Sequence, residues 1–364
     1  MEQGISIIFA FRNRDITRIK SSMDSLQIQK IQNFEVIFVD YGSKKETSVK
    51  LQNLLSDYDF SKYFYLDVEN LLWNKSKALN YGIVNSRFEY IFIADVDLIF
   101  HPETTSLFEK LKNPQSFYLF KLGYLGKEES KKLQNEYKFE VLKPSRFGLV
   151  NGMILASRKA LIAVNGLDEF FHFYGAEDED LFARLENAGY KKKLNSNQYF
   201  YHNWHKSFSG AEDKLLTGKP RIKNIMRINQ RHFQQNRNKG IIKPERQRGM
   251  GEIVDLKSSK LLQKPSKISK IPNILAQVEH FLREELPSSK GEVIRAEFYE
   301  EPYYISLKHK IKRVFGKQTQ SYISMKGVND MVLKEILFNY RDYNYSFEIN
   351  EDLKSIIFQI QLKT

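Results

Sequence analysis

Tyr90-Ile91-Phe92-Ile93-Ala94-Asp95-Val96-Asp97 is the stretch on which the reading of this chain turns. Five apolar residues in a row, without alternation, describe a strand buried on both faces, and the run stops abruptly in two carboxylates. Such a strand belongs inside a parallel sheet rather than at an edge. Upstream, Ile5-Ser6-Ile7-Ile8-Phe9-Ala10-Phe11 and Phe34-Glu35-Val36-Ile37-Phe38-Val39-Asp40 have the same character, and residues 63–68 read as a further strand. Between them, residues 15–31, 45–57 and 75–85 carry apolar side chains at helical spacing, as in Ile16, Ile19, Met23 and Leu26. Four alternations of strand and helix predict an α/β fold, a mostly parallel central sheet with helices on both faces.

Downstream the pattern mixes. Strands are expected at 116–122, 151–156 and 199–204, with a helix over 178–188 stopped by Gly189 and a basic helix over 221–237. Pro244, Gly249, Gly251 and Pro265 mark a connector. A helix over 273–285 and strands at 292–299 and 355–362 complete the chain. The expected organisation is a main domain over residues 1–240, a basic linker over 241–270 and a small α+β C-terminal domain over 271–364.

The 364 residues include 27 Phe and 20 Tyr, enough to fill large cores, and no Cys. Disulfides, thiolate metal sites and cysteine nucleophiles are thereby excluded, and any metal must be held by oxygen and imidazole. The first residues lack the basic-then-apolar pattern of a signal peptide, and the longest apolar runs are too short to span a bilayer. A cytoplasmic protein is expected, with peripheral attachment at the inner face of the cell membrane as a variant. Net charge is +13, and residues 214–270 alone hold 16 Lys and Arg against three acids, an excess that equals it. Such a stretch is either a solvated helix and linker or a contact for an anionic partner.

In open α/β sheets, ligands bind beyond the carboxyl ends of the strands. Three strand ends here carry Arg12-Asn13-Arg14, Asp40-Tyr41-Gly42-Ser43 and Asp95-Val96-Asp97. The last offers one carboxylate, Asp97, for a hard divalent cation and another, Asp95, for a ribose or sugar hydroxyl; Mg²⁺ and Mn²⁺ favour oxygen ligands completed by substrate phosphates. Tyr174-Gly175-Ala176-Glu177-Asp178-Glu179-Asp180 puts four acids at a helix start. The helix dipole favours acids there, but four exceed what capping needs, and a fixed acid suits a general base for a sugar hydroxyl. His202 and His205, flanking Trp204, are placed to complete the coordination begun by Asp97, with Mn²⁺ preferred because it accepts imidazole better than Mg²⁺.

Together these segments resemble a GT-A fold inverting glycosyltransferase of the β-1,4-galactosyltransferase and chondroitin-polymerase type, in the manner of glycosyltransferase families 2 and 7. Phe11-Arg12-Asn13-Arg14 resembles the family's nucleotide loop, and Trp73-Asn74-Lys75-Ser76-Lys77-Ala78-Leu79-Asn80 its asparagine-lysine helix start. Asp95-Val96-Asp97 stands for its metal motif, and Asn151-Gly152 through Asn165-Gly166 to Asp180 resembles its acceptor and catalytic segment. The resemblance covers residues 4–240. It implies inverting transfer from a UDP-sugar, with Mn²⁺ or Mg²⁺, to a saccharide or lipid-linked acceptor. It places Phe11, Arg12, Arg14, Asp40 and Asn74 around the donor, Lys77 near its phosphates or ribose, and Asp95 and Val96 beside the ribose. Asp97 with His205 or His202 falls at the metal, Asp178 at the catalytic base, and Glu177 at the acceptor. Two His stand where some members have one ligand at this spacing, and Tyr174 stands where tryptophan is usual. The segment after His205 matches the family's mobile flap.

Residues 303–317 carry Tyr304, Leu307, Ile311, Val314 and Phe315 on one helical face among five basic residues. Packing on its own domain is the preferred reading, and an anionic membrane surface the other. A nucleic-acid partner is not expected, since the basic stretch lacks a recognisable motif and aromatic interleaving. A nucleotidyltransferase would need a Gly-rich phosphate loop after the first strand, which is missing. The competing function is a non-catalytic nucleotide-sugar-binding module of a polysaccharide assembly system. Lack of cysteine and of an export signal suits a bacterial enzyme of surface polysaccharide synthesis.

Overall fold

A computed structural model describes residues 2–133, 137–149, 152–206, 211–254, 256–315 and 320–363. The chain forms two compact units: residues 1–69, 73–208 and 226–252, and residues 70–72, 209–225 and 253–364.

In the first unit the strands are β1 (Glu2–Phe11), β2 (Phe34–Tyr41), β3 (Ser61–Leu66), β4 (Phe88–Ala94), β5 (Leu98–Phe100), β6 (Ser116–Tyr124), β7 (Arg146–Gly148), β8 (Ile154–Ser157) and β9 (Lys191–His202). They make one sheet in the order β3-β2-β1-β4-β8-β6-β9-β5, with β7 beside β6. β3, β2, β1 and β4 are parallel, in the register Phe9 with Phe38 and Ala94. β8 is antiparallel to β4 and β6, while β9 runs parallel to β6. The helices Ile16–Gln27, Lys45–Leu55 and Lys75–Asn85 connect the parallel strands, as the alternation predicted. Every residue of β2 is buried, and β1 is buried from Gly4 to Phe9, which is why these strands read as unbroken apolar runs. The helix Lys75–Asn85 lies close on β1 because Gly82 carries no Cβ; one there would run into Ile8.

The far half of the sheet is held by phenylalanine. Phe92 of β4 stacks on Phe200 of β9 with centroids 5.3 Å apart, and Phe100 of β5, Phe108 and Phe120 of β6 close around them. Offset and edge-to-face pairs of this kind add about 0.5–1.5 kcal/mol each beyond burial. The cluster clamps β5 against β9 in the antiparallel register Leu98 with His202. The expectation of a short strand over 199–204 thus meets a twelve-residue strand whose first half, Lys191 to Asn197, is mostly exposed and polar. Its pairing with β6 is made by main chain, which side-chain polarity conceals.

The stretch 241–270, expected as a basic linker, is shared between the units at 252/253. Arg246 reaches the buried Glu169 at 3.0 Å, and Gly251 N–H donates to the same carboxylate at 2.8 Å, which ties this stretch to the first unit.

The second unit is built on β10 (Lys267–Pro272), β11 (Val293–Tyr299), β12 (Asn344–Ile349) and β13 (Ser355–Gln361), in the order β10-β11-β13-β12. β10 and β11 are parallel and the remaining pairs antiparallel. Ile294, Ala296 and Phe298 alternate inward with Ile356, Phe358 and Ile360, and Val278, Phe281, Val328, Val332 and Leu333 fill the same core. Residues 302–315 form two short helices, Pro302–Ile305 and Leu307–Val314. The expectation that their apolar stripe packs on its own domain is not met. His309 on the opposite face is the buried anchor, and Leu307, Ile311, Val314 and Phe315 are exposed.

Replacing Phe200 by Ala should remove about 3–5 kcal/mol of stability, the usual cost of emptying a closed aromatic site. Urea unfolding followed by tryptophan fluorescence measures it; a loss under about 1 kcal/mol would mean that the cluster relaxes around the gap.

Candidate functional site

Asp97 sits in the turn between β4 and β5, and His202 ends β9, so the β5–β9 register brings them to one sheet edge. Asn203 N–H donates to the Asp97 carbonyl at 2.9 Å, turning the chain so that His205 comes back over the same carboxylate. His205 Nε2 lies 2.9 Å from Asp97 Oδ2, His202 Nε2 lies 3.6 Å from Oδ1, and Arg18 Nη1 is 3.7 Å from Oδ2. One atom from each of Asp97, His202 and His205 falls within 4.8 Å of the others.

Burial would push the Asp97 carboxyl up, but the His205 hydrogen bond and the charges of His202, His205 and Arg18 hold it below the ordinary range. Burial pushes His202 down, toward the neutral imidazole that a metal requires, whereas its bond to Asp97 pushes His205 up. Among the described residues, Asp97 Oδ1 is buried without a hydrogen-bond partner. A buried carboxylate oxygen without a hydrogen bond beside two imidazoles is the environment a divalent cation would complete, and the oxygen and nitrogen donors suit Mn²⁺.

The ends of β1 and β2 carry the residues expected around a donor. Asp40, fully buried, accepts from Ser43 N–H at 2.8 Å and from the Tyr63 hydroxyl at 2.9 Å, and burial pushes its carboxyl up. Asn13, at φ 49°, ties the two loops through Ser43 Oγ and Lys44 N. Gly42, at φ +71°, brings the loop against residues 68 and 69, where any Cβ would strike main chain. Arg12 is fixed on the Glu69 carbonyl, and Arg14 is exposed. Phe11 and Val96 lie in the hydrophobic core, Phe11 packed on Phe38, so only their main chain is left to face a ligand.

Asn74 caps the helix Lys75–Asn85, accepting from Lys77 N–H at 2.8 Å and donating to the Glu169 carbonyl at 2.8 Å. Its observed contacts are those of a structural residue. Lys77, expected near phosphates or ribose, instead lies buried 3.3 Å from Glu169, which Asn80 and Arg246 also bind. The lysine that reaches the strand ends is Lys75: Nζ is 2.7 Å from Asp95 Oδ1 and 3.6 Å from Glu177 Oε1. Burial disfavours its charge, but Asp95 and Glu177 outweigh this and keep it protonated.

The acidic helix start is set by a tight turn with Phe173, Gly175 and Ala176 all at positive φ. Ala176 caps the helix from the left-handed region, a costly conformation for a residue with a Cβ. Asn229 buttresses the turn from the helix Ile225–Asn238, donating to the carbonyls of His172 and Tyr174 at 3.0 Å each. On the same helix, Arg227, Arg231 and Arg237 are exposed, a solvated basic face.

The four acids separate. Asp180 is buried on Arg184 at 2.6 Å, and Glu179 is exposed. Glu177 accepts from Gly175 N–H and pairs with Lys75. Asp178 lines a small cleft with Lys75, Glu177, Gly152 and Leu79, and burial followed by the Glu177 charge pushes its carboxyl up to about 6. Asn151, in the acceptor segment, and residues 207–210 after His205 lie outside the described residues. Arg18, on the first helix, and Lys75 were not singled out for a role; nothing in the sequence ties Arg18 to Asp97.

Residues 6–163 match the family model described as glycosyl transferase family 2, and residues 134–206 match one described as the N-terminal domain of galactosyltransferase. No curated protein matches. Among solved structures, a mannosyltransferase, PcManGT, from Pyrobaculum calidifontis in complex with GDP-Man and Mn²⁺ is similar at 15% identity and TM-score 0.43, over 58% of this chain and 60% of that one. TarS of S. aureus is similar at 17% identity and TM-score 0.39, over 56% of this chain and 37% of that one. The chain therefore spans less than two thirds of either.

Isothermal titration of Mn²⁺ should detect binding by the wild-type chain, weakened on the order of 10–100-fold or more in His205→Ala. Equal affinity in the two would remove His205 from the site.

Proposed function

We propose that residues 6–206, matched in part by each of the two glycosyltransferase family models, transfer a sugar, with inversion, from a UDP-sugar to a hydroxyl of a saccharide or lipid-linked acceptor. The observation that carries the proposal is the difference between two adjacent acids: Glu177 pairs with Lys75 and accepts from Gly175 N–H, whereas Asp178 lines the cleft with its carboxyl raised by burial and by the Glu177 charge. A direct displacement needs a single general base, whereas a double displacement needs a second free carboxylate as nucleophile.

Asp97, His205 and His202 would hold a divalent cation. Bound there, it would supply positive charge against the diphosphate of the departing nucleotide. Arg18 adds a fixed cation beside Asp97. Asp40, Tyr63 and the loop after β2 form the donor's nucleoside end, with Arg12 next to them. Asp95, held by Lys75, presents its carboxylate to a ribose or sugar hydroxyl. Asp178 takes the proton of the acceptor hydroxyl as that oxygen attacks the anomeric carbon from the face opposite the nucleotide. Exposed Tyr174 offers an aromatic face to a sugar ring at the same turn. A location in the cytoplasm, where nucleotide sugars are made, would fit this activity.

Release of nucleoside diphosphate from a panel of nucleotide sugars, with Mn²⁺ and a saccharide acceptor, tests the donor class; turnover with no UDP-sugar would overturn it. Asp178→Asn should lower turnover by about 10²–10⁴-fold while leaving UDP affinity unchanged, and turnover near wild type would rule out the base. Since Asp178 must be ionised to act, the wild-type rate should fall as pH drops through about 6. Lys75 holds that carboxyl down, so Lys75→Gln should move the acid limb to higher pH; an unmoved limb would assign it to another group.

A further inference from the structure

The three most exposed large apolar side chains among the described residues, Val314, Leu307 and Phe315, at 83%, 76% and 73% exposure, lie within nine positions of each other. They share one helix, Leu307–Val314, and the residue just after it. At about 100° per residue, Leu307, Ile311, Val314 and Phe315 fall within an arc of about 100°. Lys308 and Lys312 follow at one border of that arc, and Lys310 and Arg313 continue the positive charge in sequence. There is no acid from 302 to 315.

The opposite side of the helix is anchored. His309, about 200° from Leu307 around the axis, is 5% exposed and packs edgewise on Tyr303 and Tyr322, with centroids 5.5 and 5.1 Å away. Its Nδ1 is 2.9 Å from the Tyr304 carbonyl, and its N–H donates to Ser306 Oγ. The outward stripe is therefore preformed, and binding needs no folding step to present it.

From this arrangement we propose that the helix Leu307–Val314 docks on the surface of an anionic phospholipid bilayer. Its apolar stripe enters the acyl boundary, and its lysines meet the headgroup phosphates. An apolar stripe bordered by lysines and free of acids is the pattern of a helix lying in a membrane interface. No helix among the described residues is long and apolar enough to cross a membrane, so the contact is with the surface. Exposed apolar clusters of this kind otherwise mark protein contacts, but residues 302–315 carry charge of one sign only. The inference is independent of the sugar-transfer reading.

Co-sedimentation of the intact chain with phosphatidylcholine vesicles, with and without phosphatidylglycerol, tests it. Binding should be about tenfold or more stronger with phosphatidylglycerol and should weaken with salt. The double variant Ile311→Asp/Val314→Asp should lose it with an unchanged circular dichroism spectrum, since both side chains are exposed. Failure to bind phosphatidylglycerol vesicles, or equal binding to neutral ones, overturns the proposal. So does binding retained by the double variant, which would move the contact to another basic segment. A concentration-dependent dimer lost in that variant, without vesicle binding, would instead assign the face to a second copy of the chain.

Discussion

The antiparallel pairing of β5 with β9 is the constraint on which the site depends. It joins residues far apart in sequence by main-chain hydrogen bonds, so that the register Leu98 with His202 fixes where Asp97 lies relative to both histidines. Main chain alone would hold three residues weakly; the rings of Phe92, Phe100 and Phe200 lock the pairing from the core side. A close-packed interior has few alternative arrangements, and the cluster thereby transmits precision to a site at the strand ends.

Electrostatics then differentiates carboxylates that are alike in sequence. Lys75 joins Asp95 to Glu177, so the strand end after β4 and the acidic helix start are coupled through one ammonium group. Asp178 keeps the consequences of burial and of its acidic neighbour, and its carboxyl is raised to about 6. Below this layer, Glu169 gathers Lys77, Asn80, Arg246 and the Gly251 N–H, which supports the loop leading to the strained turn at 173–176. A buried network of hydrogen bonds and ion pairs restrains the loop that leads into the acidic helix start.

The parallel half of the sheet was legible because β1, β2 and β4 are buried on both faces, and burial on both faces writes unbroken apolar runs. β9 was legible only at its end, since Lys191 to Asn197 are exposed and hold their place by main chain. Strand ends pointed to Asp97, His202 and His205, which the fold brings together, but not to Lys75, which lies two positions from Lys77 on one helix and pairs with Asp95. Phe11 and Val96 fell inside the motifs at the strand ends, yet motifs do not tell side chain from main chain. Arg18 needed the folded geometry. The stripe at 307–315 was visible in the sequence, but its partner was not, because periodicity reports an apolar face without saying what covers it.

The central claim is that Asp97, His202 and His205 form one cation site at the strand ends. Crystals grown with Mn²⁺ and UDP, measured at a wavelength sensitive to manganese, test it most directly. The account predicts a single anomalous peak in contact with the Asp97 carboxylate and at least one of the two imidazoles, with the UDP phosphates beside it. A manganese peak away from Asp97, or UDP bound with its phosphates remote from these three residues, would contradict it.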